Sequence, residues 1–187
     1  MTATMRQPTL ATLGLGGVLD LFGNGRLPAD AGPLVDTVFG PAKRRGSLVI
    51  SGANGIVGAG KTMQLGARLQ PFGVRIVALD FPNAPDGIGA QYPGLVQAFG
   101  PEGAARIMAN VVRLSYDGKM LPSELASLRP RFLLEAIPEI LEVKRAHYDV
   151  FRAAFPDIEI RSVTSGFPSA ELGVGIAHPA FPHHRFQ

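Results

Sequence analysis

The chain has 187 residues, 46% of them hydrophobic, which is enough for one main domain with a sizeable core. Its 18 basic and 15 acidic side chains give a net charge of +3, which is too small and too evenly spread to indicate nucleic-acid binding. The sequence has no cysteine, so disulfides and thiolate zinc sites are excluded, and a cytoplasmic location is the simplest fit.

The first part of the chain, residues 1–45, is rich in glycine and proline and contains two short apolar pieces, LATLGLGGVLDLF and PLVDTVF. Each piece is predicted to form a helix. Asp20 interrupts the first piece, which is far shorter than a membrane span, and no clear signal-peptide cleavage site follows it. The sequence therefore predicts an N-terminal helical extension over 1–45, no membrane contact, and one main domain over 46–187.

From Ser47 onward, short apolar runs alternate with helical patterns, as is typical of parallel α/β units. The predicted strands are SLVIS (47–51), VRIVALD (74–80), FLLEA (132–136), IEIRSVTS (158–165) and VGIAH (174–178). The predicted helices cover 58–69, 101–112 and 138–155. In the last of these, the residues that recur at helical spacing and predict its packed face are Ile140, Val143, His147, Phe151 and Ala154. This order predicts a Rossmann-like α/β fold, a doubly wound and mainly parallel sheet.

The stretch SLVISGANGIVGAGKT, residues 47–62, fits two phosphate-binding patterns. From Gly55 it reads G-x-x-x-x-G-K-T, the P-loop of nucleotide hydrolases, and from Gly52 it reads G-x-x-G-x-x-G, a variant of the dinucleotide fingerprint. A P-loop places its first glycine almost at the strand end, whereas Gly55 lies four residues beyond Ser51. The dinucleotide pattern, which starts directly after the strand, fits better. It places Lys61 in the first turn of the following helix, reaching solvent or phosphate.

The dinucleotide pattern assigns a role to each of its glycines. Gly52 makes the tight turn, Gly55 lets the backbone approach the pyrophosphate, and Gly58 lets the helix pack on the sheet. An acid is also expected at the end of the second strand, where it would bind the adenosine ribose. Asp80 occupies that place. Because a carboxylate would repel a 2′-phosphate, the sequence predicts NAD rather than NADP.

The second half of the chain contains further motifs in a fixed order. FLLEAIPEILEVK (132–144) matches an apolar strand ending in E-A, followed by a glutamate and by a lysine that opens a long helix. VTSGFP (163–168) matches a strand ending in N-T-S-S, and GIAHPAFP (175–182) matches one ending in H-x-x-N-P. GIVGAG (55–60) matches G-T-M-G-A-G, with Asn54 inserted. Together these motifs resemble the NAD-binding domain of 3-hydroxyacyl-CoA dehydrogenases.

The resemblance covers residues 47–187 and implies a cofactor, NAD, and a substrate, an acyl-CoA. With Gly52 from the glycine pattern, the implied cofactor-binding residues are Gly55, Gly58, Asp80, Glu139 and Lys144. Ser165 would hydrogen-bond the substrate hydroxyl. His178 would be the general base that takes the hydroxyl proton while hydride leaves the same carbon, because an imidazole titrates near neutral pH.

The sequence also departs from the family pattern. Val163 and Gly166 replace the asparagine and the second serine of N-T-S-S, and Phe181 replaces the asparagine of H-x-x-N-P. The family's glutamate that orients the histidine, and its helical substrate domain, have no counterpart before Gln187. We therefore expect a truncated or divergent member that binds NADH and reduces acetoacetyl-CoA very slowly or not at all. A further domain or a partner chain would supply the substrate domain.

Three functions stay open at this point. They are NAD-dependent oxidation of 3-hydroxyacyl-CoA to 3-oxoacyl-CoA, a non-catalytic NAD-binding module, and a P-loop NTPase. His178, His183 and His184 form H-x-x-x-x-H-H in a segment without a neighbouring acid, so no metal site is predicted.

Overall fold

A computed structural model of the protein describes residues 31–176 and contains a six-stranded sheet with helices on both faces. The strands are β1 (Ser47–Ser51), β2 (Ile76–Asp80), β3 (Val111–Ser115), β4 (Pro130–Glu135), β5 (Glu159–Ser162) and β6 (Gly175–Ile176). The α-helices are α1 (Ala31–Phe39), α2 (Ile56–Leu69), α3 (Gly87–Ala109), α4 (Glu124–Ser127), α5 (Leu141–Ala154) and α6 (Ser169–Leu172).

The strands lie in the order β3-β2-β1-β4-β5-β6, and every neighbouring pair is parallel. This is the strand order of the dinucleotide-binding fold, in which the chain builds one half of the sheet outward from β1 and then reverses to build the other half. The predicted Rossmann-like, doubly wound α/β fold is therefore confirmed.

Two separate cores cover the two faces of the sheet, which accounts for the continuous apolar runs LVI in β1 and FLL in β4. One face packs against α1, α2 and α3, and its buried residues include Val35, Ile50 and Ile107. The other face packs against α4, α5 and α6, with Tyr148 and Phe151 fully buried. Side chains of β1 alternate between these two cores, as the period of a strand requires.

The region between β2 and β4 differs from the sequence prediction. A helix was expected over 101–112, but α3 begins at Gly87 and continues to Ala109 through a kink at Gly100, whose φ of 71° is left-handed. Pro101 follows this kink, so the proline signal marks the restart of a helix rather than its beginning. Residues 111–115, which follow directly, form β3, a strand missing from the prediction. β3 lies at the sheet edge and is only partly buried, with Arg113 exposed at its centre.

The packed face of α5 also differs from the expectation. Ile140 and Val143, predicted to face the core, are 51% and 46% exposed, and Ala154 is exposed too. His147 and Phe151 are buried as predicted, and the other buried residues of the helix are Lys144 and Tyr148. Apolar spacing alone was misleading here because a buried lysine and a buried tyrosine occupy the core side, where their polar atoms are paired with other side chains.

Several predictions concern residues outside the described range. The apolar piece LATLGLGGVLDLF lies there, whereas PLVDTVF falls within α1, so the second helix predicted for the extension is confirmed. Within residues 31–176, no helix is both long and apolar enough to cross a membrane. The division of the chain at residue 45 stays a prediction.

Candidate functional site

The reversal of strand order brings the carboxyl ends of β1 and β4 side by side. Gly52, directly after β1, has a φ of 71°, and a Cβ added to it would lie 2.5 Å from the carbonyl oxygen of Ala136, directly after β4. The backbone N–H of Ala136 in turn donates to the carbonyl of Ser51. The two loops therefore touch at the topological switch point, where open α/β sheets form their ligand crevice.

The three glycines of the dinucleotide pattern occupy the positions that the pattern requires. Gly52 makes the left-handed turn off the strand, and its carbonyl accepts the N–H of Gly55 at 3.1 Å. A Cβ on Gly58 would lie 1.9 Å from the carbonyl oxygen of Gly52, so only a glycine lets α2 approach the loop this closely. Gly55 is the N-cap of α2 and is exposed.

The first turn of α2 is open at this crevice. Its first intrahelical bond runs from the N–H of Ala59 to the carbonyl of Gly55, and among the described residues no side chain caps the helix. The N–H groups of the first turn have no intrahelical partner, and the helix dipole adds partial positive charge at the same end. Ile56 and Val57 are exposed beside it. Such a helix terminus is suited to an anionic group such as a pyrophosphate.

Asp80, the last residue of β2, is fixed beside the glycine loop. Its Oδ2 accepts the backbone N–H of Asn54 at 2.7 Å, and its Oδ1 accepts the N–H of Phe81 at 2.8 Å. The carboxylate is partly buried and retains acceptor capacity on both oxygens. A half-exposed Phe81 ring stands next to it and lies over Gly118.

A buried polar atom near Asp80 lacks a partner. Asn54 Oδ1 is inaccessible to solvent and has no hydrogen-bond partner within the described part of the chain. Because a buried acceptor without a donor is costly, such an atom indicates a ligand or an ordered water. This atom belongs to the residue inserted into the glycine loop, so an acceptor stands unpaired within that loop itself.

The geometry around Lys61 and Thr62 bears on the P-loop alternative. Because α2 begins at Ile56 rather than at residue 58, Lys61 lies in the second turn and not in the first, as had been expected. Burial, and then the charge of Arg68, lower the pKa of Lys61. The Thr62 hydroxyl, which binds magnesium in a P-loop, is fully buried and donates to the carbonyl of Gly58 at 2.8 Å. This geometry favours the dinucleotide interpretation.

The second half of the site is built from buried side chains. Lys144, on the first turn of α5, and Glu135, the last residue of β4, are both fully buried, and their Nζ and Oε1 atoms are 2.6 Å apart. Lys144 Nζ also donates to the carbonyl of Ile137 at 3.2 Å and lies 3.5 Å from Glu139 Oε2. Lys144 was predicted from the resemblance as a cofactor residue, and here its ammonium is surrounded by three protein oxygens.

The remaining acceptors of Glu135 are also occupied. Its Oε1 accepts the backbone N–H of Ile137 at 2.7 Å, while its Oε2 accepts the hydroxyls of Tyr148 and Ser162. Burial, and the hydrogen bond to Glu135, raise the pKa of Tyr148, so its hydroxyl stays protonated as a donor. We call Glu135, Lys144, Tyr148 and Ser162 the buried quartet. It joins β4, α5 and β5 beneath the crevice.

Glu139 connects the buried quartet to the segment after β5. This side chain is 43% exposed, and its carboxylate accepts the Thr164 hydroxyl at 2.9 Å and the backbone N–H of Ser165 at 3.1 Å. Ser165 itself is exposed. The structure thus brings together Glu139, Lys144 and Ser165, three of the residues predicted from the resemblance.

A buried histidine lies beside the quartet on the same helix. His147 Nε2 is 2.9 Å from Ser51 Oγ, and its ring is 5.4 Å from that of Tyr116. Burial lowers the pKa of His147 to about 4, while the Glu135 charge opposes the shift. The imidazole is therefore neutral at pH 7 and acts as a packed hydrogen-bonding group at the end of β1.

His178, the predicted general base, lies outside the described residues, as do His183 and His184. Within residues 31–176, no cluster of three or more His, Asp or Glu side chains is arranged to hold a metal ion. The roles of all predicted site residues stay predictions, although the placement of Gly52, Gly55, Gly58 and Asp80 matches the dinucleotide pattern.

The sequence reasoning missed four polar residues of the site: Glu135, Tyr148, Ser162 and Thr164. Glu135 carried a usable signal, because an acid that ends an apolar strand resembles Asp80 in its setting. Tyr148 lies one helical turn after Lys144, a spacing that places both on one face. Ser162 gave no signal that separates it from other strand serines.

Comparison with known proteins finds limited similarity. No protein-family model matches the sequence, and no curated protein matches it. A solved structure of the reductase (R) domain of a non-ribosomal peptide synthetase from Mycobacterium tuberculosis has 17% identity and a TM-score of 0.45, covering 79% of this chain and 39% of that one. A high-resolution structure of such a domain from the same organism has 14% identity and a TM-score of 0.44, covering 79% and 38%. The chain thus spans about two fifths of their length. At this level of likeness no conclusion about function follows, and the 3-hydroxyacyl-CoA dehydrogenase resemblance stays a prediction.

Proposed function

We propose that this chain is a nicotinamide-dinucleotide-binding domain of an oxidoreductase and that its cofactor is NAD rather than NADP. The observation that carries the proposal is the open glycine loop at the switch point of β1 and β4, with the Asp80 carboxylate fixed beside it. A loop of this geometry in a sheet of this strand order is the arrangement that dinucleotide-binding domains use.

The residues present fit such a cofactor. The uncapped first turn of α2 would hold the pyrophosphate, since Gly55 leaves the backbone accessible there. Asp80 would accept hydrogen bonds from the adenosine ribose hydroxyls, and its charge would repel a 2′-phosphate. The unpaired Asn54 Oδ1 supplies one further acceptor for a hydroxyl donor. When bound, the nicotinamide would supply the acceptor or donor of a hydride.

For the reaction, we propose oxidation of a 3-hydroxyacyl thioester to the 3-oxoacyl thioester. Ser165 would hydrogen-bond the substrate hydroxyl, and His178 would take its proton while hydride leaves the same carbon. The support for this assignment is the motif order in the sequence, together with the position of Ser165 at the carboxyl edge of the sheet. The domain that holds the acyl chain would come from another part of the protein or from a partner chain.

Calorimetric titration of the protein with NADH, NADPH and ATP with magnesium tests the cofactor. We expect NADH to bind about tenfold or more tightly than NADPH, a difference of about 1.4 kcal/mol. Asp80→Asn should narrow this gap, whereas Glu102→Gln, which changes an exposed acid of α3, should preserve it. Equal affinity for the two dinucleotides in the unmutated protein would contradict the choice of NAD, and magnesium-dependent ATP hydrolysis would contradict the whole proposal.

Turnover separates an enzyme from a binding module. Reduction of acetoacetyl-CoA by NADH, lost in His178→Ala, would support the proposed reaction. Because slow or absent turnover is also expected of a truncated enzyme, a non-catalytic dinucleotide-binding module would be supported by tight NADH binding without any binding of acetoacetyl-CoA to the NADH-loaded protein.

A further inference from the structure

We propose that Glu135 and Lys144 are positioning residues that set the place of Ser165 through the carboxylate of Glu139. This inference rests on the proposed function, because Ser165 matters only if the crevice binds a substrate beside the cofactor. It assigns a purpose to the buried quartet, whose members bind one another at the base of the site rather than facing solvent.

The first set of contacts holds Glu135 in the core and, through it, Lys144. Four donors surround the Glu135 carboxylate, namely the N–H of Ile137, the ammonium of Lys144 and the hydroxyls of Tyr148 and Ser162. These partners come from the loop after β4, from α5 and from β5. Glu135 therefore has a single possible orientation, and it fixes the Lys144 ammonium in turn.

The second contact is the ion pair between Lys144 and Glu139. The ammonium lies between two carboxylates, at 2.6 Å from Glu135 and 3.5 Å from Glu139. Without the cation, two acids would face each other at the end of β4. Their repulsion would turn Glu139, the half-exposed one of the two, outward into water. Lys144 thus holds Glu139 inward, over the loop that follows β4.

The third set of contacts consists of hydrogen bonds between Glu139 and the segment after β5. Glu139 accepts the Thr164 hydroxyl and the Ser165 N–H. The same Thr164 oxygen accepts the N–H groups of Gly166 and Phe167, both at 3.2 Å. Two side chains therefore hold the turn that carries Ser165: Glu139, through both of its carboxylate oxygens, and Thr164, through its hydroxyl oxygen.

The chain offers a matched set of variants. Glu139→Gln removes the charge that holds Ser165 and keeps the volume. The double variant Glu135→Gln with Lys144→Met removes the buried ion pair that adjoins Glu139, and it leaves neither charge buried without a partner. Glu142→Gln is the control, because Glu142 is an exposed acid in the first turn of the same helix. Since Glu139 is half-exposed, its variant folds even if the double variant does not.

Amide hydrogen exchange measured by NMR gives the readout for Ser165, with Ile50 in the core as the reference for global opening. We expect exchange at Ser165 and Gly166 to accelerate about tenfold in Glu139→Gln and, because only the attraction of Lys144 for Glu139 is lost, by a smaller factor in the double variant, with Ile50 unchanged in Glu139→Gln. Exchange at Ser165 that matches the unmutated protein in a folded double variant would show that Glu135 and Lys144 do not position it. The Glu142→Gln protein should match the unmutated one. Unchanged exchange at Ser165 in a folded Glu139→Gln protein would overturn the inference.

Titration with NADH followed by acetoacetyl-CoA tests the functional part. Affinity for acetoacetyl-CoA should fall about tenfold in Glu139→Gln if Ser165 is displaced. Absence of NADH binding to the unmutated protein would overturn the proposed function, whereas the exchange result would still decide whether Glu139 holds Ser165. Normal NADH binding with unchanged acetoacetyl-CoA affinity in Glu139→Gln would leave the proposed function in place and overturn the positioning role.

Discussion

The two halves of the sheet contribute to the crevice in different ways. The half formed by β1, β2 and β3 contributes backbone: a glycine turn, an open helix terminus and one carboxylate that itself binds backbone N–H groups. The half formed by β4 and β5 contributes side chains, joined in the buried quartet and in Glu139. The glycine loop is therefore sensitive to added side-chain volume, whereas the buried quartet is sensitive to the loss of one partner of a pair.

The largest expected effect concerns the half of the sheet formed by β4 and β5, which we call the side-chain half. Lys144→Met leaves the Glu135 carboxylate buried without its cation, and we expect the free energy of unfolding to fall by about 3–5 kcal/mol. The double variant Glu135→Gln with Lys144→Met should lose less than Lys144→Met alone, because no buried charge is left unpaired. Urea unfolding of the single and double variants measures the loss in the free energy of unfolding for each.

The exposed pair Asp149–Arg152 on the same helix provides the control, since its atoms are 3.9 Å apart at the surface. Asp149→Asn should change the free energy of unfolding by less than about 1 kcal/mol, since it removes the exposed ion pair and leaves the hydrogen bond from Arg152 to the carbonyl of Gly173 in place. An equal loss in Asp149→Asn and Lys144→Met would show that burial of the Lys144 pair adds nothing to its effect on stability.

The second prediction concerns added side-chain volume in the half formed by β1, β2 and β3, which we call the backbone half. Gly58→Ala places a methyl group 1.9 Å from the carbonyl oxygen of Gly52, and we expect a loss of about 1–3 kcal/mol in the free energy of unfolding, together with weaker NADH binding. Gly60→Ala, two residues along the same helix, meets no atom within 4 Å and should stabilise the protein by about 0.4–1 kcal/mol. Thermal unfolding of both variants measures the contrast, and effects of the same sign would contradict it.

The third prediction concerns pH. Burial lowers the pKa of His147 from its ordinary value of 6.5 to about 4, so folding favours the neutral imidazole. This contribution to stability is complete above pH 6.5 and is lost as the pH falls toward 4, because the unfolded chain then binds more protons. Between pH 7 and pH 5.5 we expect His147 to account for a loss of about 1 kcal/mol. Urea unfolding of the unmutated protein and of His147→Gln should therefore show a smaller pH dependence in the variant.

The smallest expected effect is at Lys61. Because α2 places this lysine in its second turn and the phosphate-binding groups are backbone N–H groups, Lys61→Ala should change NADH affinity by less than about threefold. Fluorescence titration with NADH measures it. A loss much larger than this would mean that the backbone half depends on a side-chain cation, which would remove the contrast between the two halves.

The difference between the two halves also explains which parts of the site could be predicted from the sequence. The Rossmann-like fold class and the glycine loop were predictable because their signals are local: an apolar run, then glycines at fixed spacing, then Asp80 at the next strand end. The buried quartet was not, because Glu135 and Ser162 are 27 residues apart and meet only when β4 and β5 pair. β3 was missed because Val112 was assigned to the preceding helix.

The resemblance supplied what spacing could not for Glu139, Lys144 and Ser165, which the fold brings together. Periodicity, in contrast, gave only part of the packed face of α5. It included His147 and Phe151 but missed Lys144 and Tyr148, because a lysine and a tyrosine that bind a buried carboxylate count as polar in any pattern. Local patterns thus predict backbone-built sites better than sites whose polar groups are paired across the sheet.

The edge position of β3 has a consequence for self-association. An edge strand presents unpaired N–H and C=O groups along one side, where a second copy of the chain could add a strand. Arg113 stands at the centre of β3 and forms an ion pair with Asp86 at 2.9 Å, with both side chains well exposed. A second β3 docked along this edge would have to bring like charges together and disrupt that pair. A single arginine in an otherwise apolar VVRLS strand therefore protects this edge of the sheet against intermolecular strand pairing.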